Sequence, residues 1–114
     1  MKINGVELDI DFTDADILER IEKGSKEVYD KADELKSSTV SPAEGIRQEC
    51  KILKDFLDYV IGEGTSETLF GDRNSLQQCL KAYEDIVKAR DEQINEFEAR
   101  VSKYSPDRLK RWIY

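Results

Sequence analysis

The stretch NSLQQCLKAYEDIVKARDEQINEFEARVSKY, residues 74–104, decides how the rest of the chain is read. Its apolar positions are Leu76, Leu80, Tyr83, Val87, Ile94, Phe97, Val101 and Tyr104. Counting Arg90 as a polar guest, the steps between them alternate four and three. That is a heptad pattern, and one helix over these residues presents a continuous apolar stripe. Lys, Glu, Asp, Gln and Asn occupy the other face. Asn74 is placed to cap the amino end, with Gln77 reaching back to it. About 30 helical residues extend roughly 45 Å. Such a helix is either the core of a bundle or a core helix whose far half overhangs and packs on another chain.

Working outward, Ser41-Pro42-Ala43-Glu44 reads as a helix start, with a cap, a proline at the first position and a glutamate at the third. The helix behind it carries Ile46, Cys50, Leu53, Phe56, Leu57, Val60 and Ile61 on one face and stops at Gly62. It is the most apolar of the helices and the expected centre of the bundle. Upstream, Thr13 is a candidate cap for a helix with Ile17, Leu18, Ile21, Val28, Ala32 and Leu35 along one side. Gly24 in its middle either weakens it by about 1 kcal/mol relative to Ala or permits a close neighbour. At the amino end Val6, Leu8, Ile10 and Phe12 alternate with Glu7, Asp9 and Asp11, and Asn4-Gly5 suits a type I′ hairpin turn.

These signals predict a mainly α fold. Three long helices lie near residues 14–36, 42–61 and 74–104, and a short β-hairpin within residues 1–12 rests on them. The expected buried set includes Leu53, Phe56, Leu57, Val60, Leu76, Leu80 and Tyr83. Residues 1–104 form one helical domain and residues 105–114 a basic, aromatic tail.

Composition narrows function by exclusion. The 114 residues carry a net charge of −7 and contain no histidine. Without a basic stripe such a chain is a poor nucleic-acid binder. Lack of histidine removes the commonest general base and zinc ligand. Cys50 and Cys79, both at apolar helix positions, read as buried free thiols in a reducing cytosol rather than as metal ligands. Asp9, Asp11, Asp14 and Asp16 invite a calcium reading, but a loop begun at Asp9 has Asp14 where glycine is needed and Arg20 where glutamate is needed. No apolar run approaches membrane-spanning length. No catalytic, metal or cofactor residues are assigned, and the chain is not expected to be an enzyme.

The segment from Gly62 to Asp72, Gly-Glu-Gly-Thr-Ser-Glu-Thr-Leu-Phe-Gly-Asp, lacks the Gly-Lys-Ser/Thr of a phosphate-binding loop, and its acids would repel an anion. Leu69 and Phe70 are expected to plug the bundle end, with Glu63, Glu67 and Asp72 toward water.

Taken in order, the Ile-Asn-Gly-Val hairpin, the acidic helix, the Ser-Pro helix, Phe56-Leu57-Asp58, Val60-Ile61-Gly62-Glu63-Gly64 and Leu69-Phe70-Gly71-Asp72 resemble the small tail-assembly chaperones of long-tailed phages and prophages of Gram-positive bacteria. The resemblance runs from Met1 to about Ala99 and is most specific between Phe56 and Asp72. It implies a helical, self-associating, non-enzymatic protein of the host bacterial cytosol. Such a protein coats the tape-measure protein while tail-tube subunits are recruited, and it does not remain in the virion. A structural virion component such as a head–tail connector subunit is the second reading. Partners are therefore expected to be protein: the tape-measure protein, the tail-tube protein and further copies of the chain, with no nucleic acid and no membrane. Two partner-binding surfaces follow. One is Ile94, Phe97 and Val101, which helices of about 20–23 residues packed beside the start of the long helix leave uncovered unless the hairpin or the tail covers them. The other is Leu109, Arg111, Trp112 and Ile113 in the tail, an aromatic anchor beside arginine; its alternative is that Trp112 folds back on its own chain.

Overall fold

The computed structural model describes residues 2–103, and within them the fold is mainly helical with a two-stranded hairpin at the amino end. Strands β1 (Lys2–Ile3) and β2 (Val6–Glu7) pair antiparallel, Ile3 opposite Val6. Asn4 and Gly5 both have positive φ, 52° and 80°, as a type I′ turn requires. Helices α1 (Ala15–Lys36), α2 (Pro42–Val60), α3 (Thr65–Phe70) and α4 (Leu76–Val101) follow.

The hairpin is shorter than its alternation suggests. Pairing ends at Glu7, yet Ile10 and Phe12 remain buried while Asp9 and Asp11 face water. A side chain replaces the missing strand. Gln93 of α4 accepts from the Phe12 backbone N–H (2.9 Å) and donates to the Ile10 carbonyl (2.7 Å). Period-two burial thus persists because the backbone groups that a third strand would satisfy are met by one amide.

Helix α2 is the centre, as its apolar content foretells. On one side it forms an antiparallel αα-hairpin with α1, and on the other it packs against α4. Gly24 is buried at the α1–α2 contact, where an added Cβ would lie 2.9 Å from the Phe56 ring and 3.3 Å from that of Tyr59. The glycine is there for close approach. Helix α3 returns alongside α2, placing Ser66 beside Asp58 and Phe70 beside Lys54. One contiguous core joins Ile3, Ile10 and Phe12 to Ile21, Phe56, Leu57 and Val60, to Leu69 and Phe70, and to Cys79, Ala82 and Ile86.

Several sequence expectations need correction. Asp14, not Thr13, caps α1, accepting from the Asp16 N–H; Thr13 instead donates twice to Asp11 in a turn just before it. Ser75, not Asn74, caps α4, accepting from the Gln78 N–H. Asn74 is diverted, its side-chain oxygen taking a hydrogen bond from the Lys54 ammonium (3.1 Å). The start of α2 is as read: Ser41 Oγ accepts from the Glu44 N–H (3.2 Å).

The largest correction is the rotation of α4. Leu80, expected in the core, is 46% exposed, whereas Cys79, Ala82 and Ile86 are buried. At 3.6 residues per turn, the buried face lies roughly 80° round the helix from the centre of the heptad stripe. The small side chains of Cys79 and Ala82 let the α4 backbone come close to α2, and Leu80 is left outside that contact. Of the rest of the expected set, Phe56, Leu57 and Val60 are buried, while Leu53, Leu76 and Tyr83 are half-buried against the core.

Candidate functional site

Four features could carry function: the Gly62–Asp72 segment, the buried thiols, the α1–α2 groove and the outward face of α4. The first is structural throughout. Gly62, Gly64 and Gly71 take positive φ. Leu69 and Phe70 are buried, and Glu63, Glu67 and Asp72 are exposed. Gly64 caps α3 without any side-chain acceptor, and Asp58 supplies one. Its two carboxylate oxygens accept from the Ser66 N–H and Oγ–H, both at 2.8 Å. An acid in the last turn of α2 opposes that helix's dipole, but here it faces the positive end of α3. Asn4 Nδ2 donates to the Leu69 carbonyl (2.6 Å), tying the hairpin to the same corner.

Cys50 and Cys79 are free and fully buried where α2 meets α4. Burial, reinforced by the neighbouring Cys50, pushes the Cys79 thiol up to about 11. It is therefore held as the neutral thiol, the opposite of a reactive cysteine. Among the described residues no cluster of acids and thiols is arranged to hold a metal ion, and no helix is long and apolar enough to cross a membrane. The groove between α1 and α2 is lined by Lys31, Leu35, Gln48, Lys51, Ile52 and Asp55. Its lysines are already engaged, Lys31 with Glu27 (3.0 Å) and Lys51 with Asp55 (2.9 Å).

Helix α4 is different. Leu80, Val87 and Ile94 recur every seven residues on its outward side, Leu80 exposed and the other two half-buried. Tyr83 stands next to this row, its ring 5.2 Å from that of Phe56. An open groove passes Tyr83 and Val87, bordered by Glu84, Lys88, Asp91, Glu92 and Asn95.

The residues expected to bind a partner fall into three groups. Ile94 and Phe97 lie on α4, half-buried. Val101 is buried within its own chain, at 8% exposure, rather than left uncovered. The far half of α4 is not bare, because Gln93 holds the Ile10–Phe12 segment against it. Leu109, Arg111, Trp112 and Ile113, like Tyr104 and the rest of the tail, lie outside the described residues. On α4 the exposed leucine is Leu80, near the start of the helix, and Val101 at its end is buried. The available signal was Ala82, which completes the row Cys79, Ala82, Ile86 at helical spacing.

Comparison with known proteins adds one finding. A family model described as "Family of unknown function (DUF6673)" matches residues 4–113. Searches of curated proteins and of solved structures return no match. Since the match takes in almost the whole chain, the protein belongs to the DUF6673 family.

Proposed function

We propose that this protein is a non-enzymatic assembly chaperone of the tail-assembly type, which self-associates and holds the tape-measure protein of a long-tailed phage or prophage during tail building. The observation that carries the reading is the outward row Leu80, Val87 and Ile94 on α4. It is apolar surface at coiled-coil spacing on the longest helix, the kind of face that receives another helix. The resemblance centred on Phe56 to Asp72 supplies the biological setting. The residues carrying it are those that build the α2–α3–α4 corner, so a shared motif there is a shared fold feature rather than a shared reaction. The chemistry-bearing candidates support the same class, since the thiols are buried and the acids are spread along exposed helix faces.

The test is co-expression with the tape-measure protein of the phage or prophage that encodes this chain, followed by analysis of finished particles. The expected result is a soluble complex during assembly and absence of the protein from purified virions. Its presence there in stoichiometric amount would overturn the proposal in favour of a structural virion component.

A further inference from the structure

The acids beside the α4 row recur with the same period as the row itself. Glu84, Asp91 and Glu98 are spaced by seven residues and lie immediately next to Leu80, Val87 and Ile94, on the side turned away from the core. On the opposite side of the row Tyr83, Arg90 and Phe97 are half-buried, and beyond them Cys79 and Ile86 are buried against α2 and Gln93 is bound to the amino-terminal segment. An incoming helix therefore meets an apolar row with acid along its more exposed flank. Of the nearby cations, Arg90 pairs with Asp91 (3.3 Å), while Lys81 and Lys88 stand farther round the helix, Lys81 engaged with Asp85 (3.4 Å).

This pattern discriminates between occupants. A second copy docking antiparallel, row to row, would bring the two sets of carboxylates together on one side of the seam, an arrangement that repulsion disfavours, and a parallel copy would turn each acid flank toward the side of the other copy that packs on α2. A helix of another protein with lysine or arginine beside its own apolar seam would place opposite charges at each heptad. We infer that the Leu80–Val87–Ile94 face of α4 docks an amphipathic helix of a different protein, one whose apolar seam is flanked by basic residues. The inference deepens the assembly reading by giving the chemistry of the partner, and it assigns self-association to some other surface. For the identity of the natural partner it rests on that reading; the surface itself is argued from α4 alone.

The experiment uses the full chain and three synthetic 28-residue peptides, each labelled for fluorescence anisotropy. One carries leucine at the seam and lysine at the flanks, the second has the same seam with glutamate flanks, and the third is the lysine peptide scrambled to destroy the seam. The expected result is saturable binding of the first, at least tenfold tighter than either of the others and weakening as salt is raised. Leu80→Glu should lower that affinity at least tenfold. Glu84→Lys combined with Asp91→Lys, at two exposed positions, should shift preference toward the glutamate-flanked peptide. Circular dichroism confirms that the variants are folded. Equal binding of the lysine peptide and its scramble would reduce the effect to net charge and overturn the inference. So would equal binding of the two seam peptides, or no saturable binding. Because no phage component enters this assay, its failure leaves the chaperone proposal to be judged on the tape-measure and virion test.

Discussion

The side-chain amide of Gln93 holds the backbone of Phe12 in the manner of a neighbouring β-strand, accepting its N–H at 2.9 Å while donating to the carbonyl of Ile10 at 2.7 Å. Eighty-one residues separate the pair in sequence. Gln93 thereby closes the amino-terminal segment onto the distal half of α4, and Phe12 is fully buried as a result. Gln93→Ala removes both hydrogen bonds and leaves a partly buried N–H and C=O without partners. We expect a loss of about 1–3 kcal/mol in urea unfolding. The more specific sign is hydrogen exchange: the Phe12 amide should lose protection while amides in the middle of α2 keep theirs. Unchanged exchange at Phe12 would show that packing alone holds the segment.

Two helical glycines make opposite predictions. An added Cβ at Gly24 meets the Phe56 ring at 2.9 Å, whereas at Gly45 the nearest atom is Val40 Cγ2 at 3.8 Å, an ordinary contact. Alanine favours either helix by about 1 kcal/mol. At Gly45 that gain should appear as a raised denaturation midpoint. At Gly24 it should be outweighed by overpacking, for a net destabilisation of about 1–3 kcal/mol, because Phe56 is itself buried between α1 and Tyr83. A stabilised Gly24→Ala would mean that the ring has room to move.

Asp58 gives a third test. Among the described residues its carboxylate is the side-chain acceptor at the amino end of α3, and it accepts from both the N–H and the Oγ–H of Ser66. Asp58→Ala should cost about 1–3 kcal/mol, more than an ordinary surface cap, because Ser66 is buried. Ser66→Ala removes only the hydroxyl and should cost less. Chemical-shift changes in Asp58→Ala should centre on α3 and the burial of Leu69 and Phe70. Changes confined to the end of α2 would contradict the cap.

What the sequence made legible, and what it did not, follows from where specificity resides. Pro42 after Ser41, Gly62 after Ile61 and the Asn4-Gly5 pair are local devices whose physics is complete within a few residues, and they appear where the pattern places them. Leu69 and Phe70 turn inward for a similarly local reason, the glycines on both sides. The caps at Asp14 and Ser75 were missed by one residue each because Thr13 and Asn74, equally good acceptors or donors, are taken by Asp11 and Lys54. The rotation of α4 was missed because apolar spacing identifies a stripe but not which part of it a neighbour covers. Leucine looks more like core than Cys79 or Ala82, yet close packing against α2 selects the small residues. Gln93 carried no signal at all, since a polar residue on a helix reads as solvent-facing until its partner 81 residues away is known. The outward row and its acids were within reach of the sequence, but only once the buried row had been removed from the stripe.

The last prediction concerns pH. Burial, with the neighbouring Cys50 adding to it, holds the Cys79 thiol at about 11, above the ordinary thiol value of 9.0. The folded state therefore keeps a proton that the unfolded chain releases at lower pH. The stabilising contribution is fully present below about pH 9 and is lost as pH rises through the window up to about 11. Urea unfolding at intervals between pH 8 and 11 should show stability falling with pH. Lysines and tyrosines titrate in the same range, so the decisive comparison is Cys79→Ala. That variant starts lower, through the small cavity it leaves between α2 and α4, but its decline with pH should be shallower than that of the wild type. Alkylation gives a second readout: at pH 8 in the folded protein, Cys79 should react with iodoacetamide far more slowly than in urea. Equal slopes for the two proteins, together with rapid alkylation of the folded chain, would show that the thiol is open to water and that the α2–α4 contact is looser than its burial indicates.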